Sequence, residues 1–325
     1  MGFQESVERL GMQLLRDEPL AKHTTFRIGG PAEWYATATT LEQLETLAEL
    51  AVEHGLRLTV LGGGSNLLVS DGGIGGLVVA NQARWHGPAA EFRRRWNHPA
   101  VRDDQLVVES GALLAGLARW AIRQGLAGLE WAVSVPGTVG GAVIGNAGAH
   151  GSDTAATLAW AAVRYAGCGR QVMGRDELRY MYRSSLLKEQ LLDASREPKP
   201  VVLAAGFELG KGEVEELERR ADEHLAKRRA TQPVEPSAGS IFRNPPGDHA
   251  GRLIESLGLK GQRIGGAQVS LRHANFIVNV GNATAADVAA LINLLREQVY
   301  QARGVRLTPE ILFVGEWAVG PLSEL

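Results

Sequence analysis

Cysteine is almost absent from this chain. The single Cys168 excludes an intrachain disulfide and any cysteine-based metal cluster, and such scarcity fits a reducing compartment. Net charge is nearly absent too, at −2, so there is no basic footprint for nucleic acid or an anionic membrane. No apolar run approaches the roughly 20 residues that a membrane span needs. The N-terminal Met-Gly-Phe-Gln-Glu-Ser is too polar for a secretory signal; its match to the N-myristoylation pattern is one that so short a run meets by accident. The eight histidines are scattered without ligand spacing, so no metal site is expected. The usual dinucleotide fingerprint and the P-loop are both missing. What remains is ordinary soluble composition, 45% hydrophobic and 22% charged, over a length that suggests two or three domains.

Glycine is what the chain has in abundance, with 40 residues. The run Leu61-Gly-Gly-Gly-Ser-Asn-Leu67, continued to Gly76, lies between strand-like stretches at 57–60 and 77–79. Glycine permits positive φ and leaves no Cβ in a ligand's way, and successive amides in such a turn make an anion-binding concavity. Gly62, Gly63, Gly64, Ser65, Asn66 and Leu67 therefore read as a pyrophosphate cradle; the alternative is a glycine-rich hairpin with no ligand. A second glycine stretch, 128–151, brackets a short apolar segment. It reads either as a backbone surface for a flat ligand or as a tightly packed crossover.

Other elements follow from periodicity and punctuation. Residues 1–22 read as an amphipathic helix. Thr40-Leu-Glu-Gln43 is a capping-box pattern before a helix that Gly55 stops. Residues 81–105 are basic and irregular, either a solvated insertion or domain crossover, or a cation site for a phosphate-bearing ligand. Strands are expected at 34–37, 106–109, 157–165, 201–208, 265–270, 276–280 and 305–314, with Glu310 inside the last. Helices are expected over 112–124, 213–229, 253–257 and 285–302, the last capped by Thr284 and ended by Gly304.

Taken together, Thr24-Thr-Phe-Arg-Ile-Gly-Gly30, Leu61-Gly-Gly-Gly-Ser-Asn-Leu67, Val135-Pro-Gly-Thr-Val-Gly-Gly141, Asn146-Ala-Gly-Ala149, Tyr182-Arg-Ser-Ser185, Ala238-Gly-Ser-Ile-Phe-Arg-Asn-Pro245, His273-Ala-Asn-Phe-Ile-Val-Asn279 and Leu307-Thr-Pro-Glu310 carry a resemblance. In this order they resemble the flavin-dependent UDP-N-acetylenolpyruvoylglucosamine reductases (UDP-N-acetylmuramate dehydrogenases) of bacterial cell-wall synthesis. The stretch between Ser184 and Val201 is too short for the tyrosine-bearing lid of the first type, so the chain looks like the shorter second type. The resemblance implies an α+β protein of three domains. Two form a vanillyl-alcohol-oxidase-like (PCMH-type) FAD-binding fold, 1–80 and 81–212, with 311–325 returning to the first. The third, 213–310, takes the UDP-sugar.

The resemblance also implies an NADPH-dependent reduction of UDP-N-acetylglucosamine enolpyruvate on FAD. Its catalytic roles fall on Arg183, Ser240 and Glu310. Flavin contacts are expected from Gly62 to Leu67, from Pro136, Gly137, Thr138, Gly140, Asn146, Ala147 and Gly148, and from Arg228. Tyr182, Arg243, Asn244 and His273 are expected at the substrate, with Arg243, Asn244 and Arg228 as candidates for the UDP phosphates. Residues 61–76 contain no histidine or cysteine to tether a flavin, so FAD should be noncovalent. The chain departs from the family at His150, where tyrosine is usual, at Arg243, where lysine is common, and at Gly145, where methionine is usual. A cytoplasmic monomer, with no nucleic-acid or membrane partner, is expected.

Overall fold

A computed structural model describes residues 2–94, 96, 98–317 and 320–322. It divides into two compact units: Met1–Leu14 with Ala36–Gly63 and Leu77–Arg228, and Leu15–Tyr35 with Gly64–Gly76 and Arg229–Leu325. Sheets and helices are mixed in both, as an α+β fold requires.

The first unit is built on a five-stranded antiparallel sheet. Its order is Gly169–Gly174, Leu158–Tyr165, Pro200–Phe207, Leu106–Glu109 and His86–Pro88. Pro200–Phe207 is buried along its whole length, which explains its unbroken apolar sequence. Helix Leu114–Arg123 buries Leu114, Leu117, Ala118, Ala121 and Ile122 in the core beside this sheet. Helix Val214–Thr231 adds Leu217 and Ala221. A parallel pair, Leu58–Leu61 with Ile74–Asn81, runs in register from Leu58↔Leu77 to Leu61↔Ala80.

Helix Leu41–Glu53 starts as its sequence says it should, with Thr40 Oγ1 accepting from Gln43 N–H at 3.2 Å. The reciprocal half of the box is displaced by one residue: Gln43 Oε1 accepts from Thr39 N–H at 2.8 Å.

The 82–104 segment is not merely solvated. It supplies the edge strand His86–Pro88 and helix Ala89–Arg93, and Phe92 lies fully buried between Trp85 and Trp160. Two of its arginines are spent locally, Arg93 on Asp103 and Arg102 on Asp104 and Glu208.

In the second unit, Leu67–Val69 pairs in parallel with Leu312–Val314. A three-stranded antiparallel sheet joins Arg263–Ile264, Ala267–Val269 and Ile277–Asn279. Helix Ala285–Arg303 begins with a complete Thr284–Asp287 capping box and ends on Gly304 at φ +68°. The Asp71 carboxylate also accepts from Ala285 and Ala286 N–H. Phe26, Ile28, Leu68, Phe242, Leu253 and Ile292 lie in its core.

The structure corrects two expectations and adds three elements. The helix expected over 1–22 is only Phe3–Arg9; Gly11 turns left-handed at φ +68°, and Leu14–Pro19 is a strand. The strand expected over 305–314 is confined to Leu312–Val314, so Glu310 precedes it. Strand Gly169–Gly174 and helix Leu186–Leu192 carry no strong periodic signal and go unforeseen. So does helix Val139–Gly145, whose glycines argue against a helix. Its first amides are satisfied from elsewhere: Val139 N–H donates to Ala112 O and Gly140 N–H to Ser110 O.

Candidate functional site

The first glycine run is divided between the units. In the first, a Cβ on Gly62 would lie 2.4 Å from Thr138 Oγ1, and one on Gly63 would lie 2.9 Å from Gly137 Cα. The two glycine turns, far apart in sequence, therefore back directly onto each other. In the second unit, Gly64 has φ +59°, and a Cβ there would lie 2.2 Å from His23 O. The glycines are thus required first by close backbone packing. Among the described residues, the amides of Gly63, Gly64 and Ser65 donate to no backbone carbonyl. A tight turn with unengaged N–H groups fits an anionic pyrophosphate.

The other expected flavin residues divide by what their polar groups already do. Gly140 N–H is committed to Ser110 O, so Gly140 contributes close packing, with a Cβ only 3.0 Å from Ser110 Cβ. Ala147 O accepts from Thr154 N–H at 2.9 Å and from Thr154 Oγ1 at 3.0 Å. Buried Asn146, left-handed at φ +45°, donates to Asp153 Oδ2 at 3.0 Å and Met181 O at 3.1 Å. Its Oδ1 accepts from Ala155 N–H. That amide serves as a brace between loops. Pro136 precedes helix Val139–Gly145, and Leu67 opens its strand. Arg228 is half-buried, and burial holds its guanidinium below its ordinary pKa.

Arg183 lies at the tip of a tight turn in the first unit. Met181 and Ser184 exchange backbone hydrogen bonds at 3.1 Å, leaving Tyr182 and Arg183 between them. Arg183 adopts φ +56°, a region that glycine or asparagine usually fills. Its Nη2 donates to Gly148 O at 2.6 Å, and its guanidinium sits 5.1 Å from the Tyr182 ring centroid. The turn thus unites Tyr182, Arg183, Asn146 and Gly148.

Ser240 and Glu310 come together in the second unit. Ser240 bridges to Phe276, Phe242 bridges to Pro309, and Glu310 N–H donates to Ile241 O at 2.7 Å. Arg243 N–H donates to Thr308 O, and Asn66 Nδ2 donates to Glu310 O at 3.3 Å. Arg243 Nε is buried without a hydrogen-bond partner among the described residues. Ser240 opens onto a cleft of about 340 Å³ lined also by Asn244, His249, Arg252, Arg272 and His273. Arg252, paired with Asp248, and Arg272 bring positive charge to a wall that Glu255 also lines, and arginine donors suit phosphate groups. Asn244 Oδ1 accepts from Ala250 N–H, and His273 Nδ1 accepts from Asn275 N–H. Burial pushes the His273 pKa down.

Two supporting residues escaped sequence reasoning. Asn275 is buried; its side chain accepts from Phe242 N–H at 3.0 Å and donates to Phe242 O at 2.8 Å, while its own carbonyl accepts from Ile241 N–H. It sits inside the His273-Ala-Asn motif, so the signal was present without its meaning. Lys188 is the other, and nothing in its sequence context marks it. His150 stacks on His224 with ring centroids 4.1 Å apart, beside a second cleft of about 460 Å³ that Trp131 and Arg220 also line.

Known proteins similar to this chain agree with one another. A family model described as the C-terminal domain of UDP-N-acetylenolpyruvoylglucosamine reductase matches residues 232–314, and one described as an FAD binding domain matches residues 32–166. A UDP-N-acetylenolpyruvoylglucosamine reductase of Rubrobacter xylanophilus is 44% identical over 96% of this chain and 98% of its own length. One from Chloroflexus aggregans is 43% identical over 94% and 98%. The crystal structure of the Thermus caldophilus reductase is 35% identical, with a TM-score of 0.73 over 93% of this chain and 98% of that one.

Proposed function

The chain belongs to the UDP-N-acetylenolpyruvoylglucosamine reductases, FAD-dependent oxidoreductases of peptidoglycan precursor synthesis, and from that premise we propose that it reduces UDP-N-acetylglucosamine enolpyruvate to UDP-N-acetylmuramate at the expense of NADPH. FAD, when bound, supplies hydride transfer from NADPH to the enolpyruvyl double bond. The chain's own residues do the rest. Gly63, Gly64 and Ser65 offer backbone amides to the pyrophosphate. Arg183 holds the substrate carboxylate in a bidentate grip, its orientation set by the Gly148 carbonyl. Charge that builds on the carboxylate during hydride addition meets a fixed cation, and the family resemblance assigns Glu310 to stabilising the enolate-like intermediate. The Ser240 hydroxyl gives a proton to the other carbon of the double bond. Arg243 stabilises the resulting alkoxide, since a serine at its free pKa is an uphill donor. The cleft beside Ser240 takes the UDP phosphates, with Asn244, Arg272 and His273 on its wall.

The observation that carries this reading is the pairing of the Ser240 and Glu310 segments. Residues far apart in sequence, each in a family motif, lie on backbones joined by the Glu310–Ile241 and Phe242–Pro309 contacts.

The Ser240→Ala variant tests it by stopped-flow absorbance. NADPH should bleach the flavin at nearly the wild-type rate. Reoxidation by the UDP-enolpyruvyl sugar should slow by roughly 10²-fold or more, the scale of a lost general acid. If both steps slow together, Ser240 is structural; if neither slows, another group delivers the proton.

A further inference from the structure

Lys188 is 4% exposed, although lysine is among the residue types least often buried. It lies on helix Leu186–Leu192, whose first turn is anchored twice. Ser185 Oγ accepts from Lys188 N–H at 3.2 Å and donates to Ile144 O at 2.6 Å. The Lys188 side chain turns back toward the preceding loop, and Nζ donates to Arg183 O at 3.0 Å. A buried ammonium is costly unless its hydrogen bonds are placed well. Here it meets the carbonyl of the one residue in the Met181–Ser184 turn with positive φ. The other end of that turn is held by Asn146 at Met181 O, and the Arg183 head group by Gly148 O.

We propose that Lys188 is a positioning residue for Arg183: its buried ammonium, hydrogen-bonded to the Arg183 carbonyl, fixes the left-handed turn from which the guanidinium grips the substrate carboxylate. The inference rests on the reading of Arg183 given above. A carboxylate grip is geometrically demanding, and a displacement on the order of 1 Å can cost 10²-fold in rate. Packing bulk alone would be served equally by methionine. A neutral side chain at 188 releases the carbonyl, and the turn relaxes toward the negative φ that arginine prefers.

The test uses the FAD-loaded enzyme and its two half-reactions. Lys188→Met should leave flavin content normal and flavin reduction by NADPH within about two-fold of wild type, while flavin reoxidation by the UDP-enolpyruvyl sugar slows by about 10-fold or more. Arg183→Lys should itself slow reoxidation, and adding Lys188→Met to it should produce little further loss, because the lysine acts through the arginine. Should the methionine variant fail to fold, Lys188→Gln, whose N–H donor sits one bond short, is read the same way. Equal slowing of both half-reactions, no slowing, or full additivity with Arg183→Lys overturns the inference. A normal Arg183→Lys enzyme instead overturns the role of Arg183 itself, so the two failures are distinct.

Discussion

Arg183 and His150 both hold backbone conformations that their side chains do not favour, at φ +56° and φ +54°. Each such residue costs about 1–3 kcal/mol and persists only where its surroundings over-determine it. Around Arg183 the Met181–Ser184 bridge, Asn146, Gly148 and Lys188 do so. His150 is held by its stack on His224 and by a hydrogen bond to Ser134 Oγ at 3.2 Å. Burial, then the charges of His224, Lys227 and Arg228, push the His150 pKa down from its ordinary 6.5. The native state therefore binds its proton less readily than the unfolded chain does. Stability from this residue is present above that ordinary value and is lost as pH falls through it toward the lower folded pKa. In wild type, thermal midpoints should fall between about pH 7.5 and about pH 5.5. His150→Asn, which tolerates positive φ, should shallow that fall without abolishing it, since burial lowers the His273 pKa as well. An unchanged slope in the variant would mean that His150 titrates alike in both states.

Among the elements, helix Ala285–Arg303 is the most completely specified at its ends. Thr284 accepts from Asp287 N–H at 3.0 Å, Asp287 Oδ2 accepts from Thr284 N–H at 3.0 Å, and Asp71 takes the next two amides. The acidic groups also complement the helix N-terminus. Thr284→Ala should lower stability by about 1 kcal/mol, measured as a shift in urea midpoint at constant slope. FAD content should be untouched. No shift at all would show that Asp71 caps the helix unaided. Helix Val139–Gly145 is the contrasting case. Its sequence offers poor helix formers and no side-chain cap; the carbonyls of Ser110 and Ala112 do the capping. It is helical because of where it is packed.

For the molecule as a whole, the prediction concerns ligand linkage. No described helix is long and apolar enough to cross a membrane, and the 32–166 segment matches an FAD-binding family. If the folded protein alone binds FAD, adding FAD to flavin-stripped protein should raise its stability with the logarithm of free FAD. At 100-fold above Kd the gain should be about 2.7 kcal/mol. Thermal midpoints measured across an FAD titration check this, and a flat response would mean that no native FAD site exists. A glycine variant is a poorer probe. A side chain at Gly64 would strike the His23 carbonyl, so lost flavin could reflect lost folding.

Much of this was legible in the chain before any coordinates. Periodicity and caps located helices 41–53 and 285–303, because Thr40, Thr284, Gly55 and Gly304 act within a few residues of themselves. Apolar β-branched runs located Leu158–Tyr165 and Pro200–Phe207. The ordered motifs gave the family, and with it the reaction and the flavin. Tertiary structure alone decided what depends on a partner distant in sequence. It showed that Gly62 and Gly63 are small because residues 137–138 lie against them. It showed that Asn146 braces the Met181 turn. It also brought Ile241 to Glu310, gave Asn275 its grip on Phe242, and buried Lys188 beneath Arg183. A local pattern encodes the torsions and the exposed face of one segment. A hydrogen bond across many residues is fixed only when the rest of the chain has folded around it.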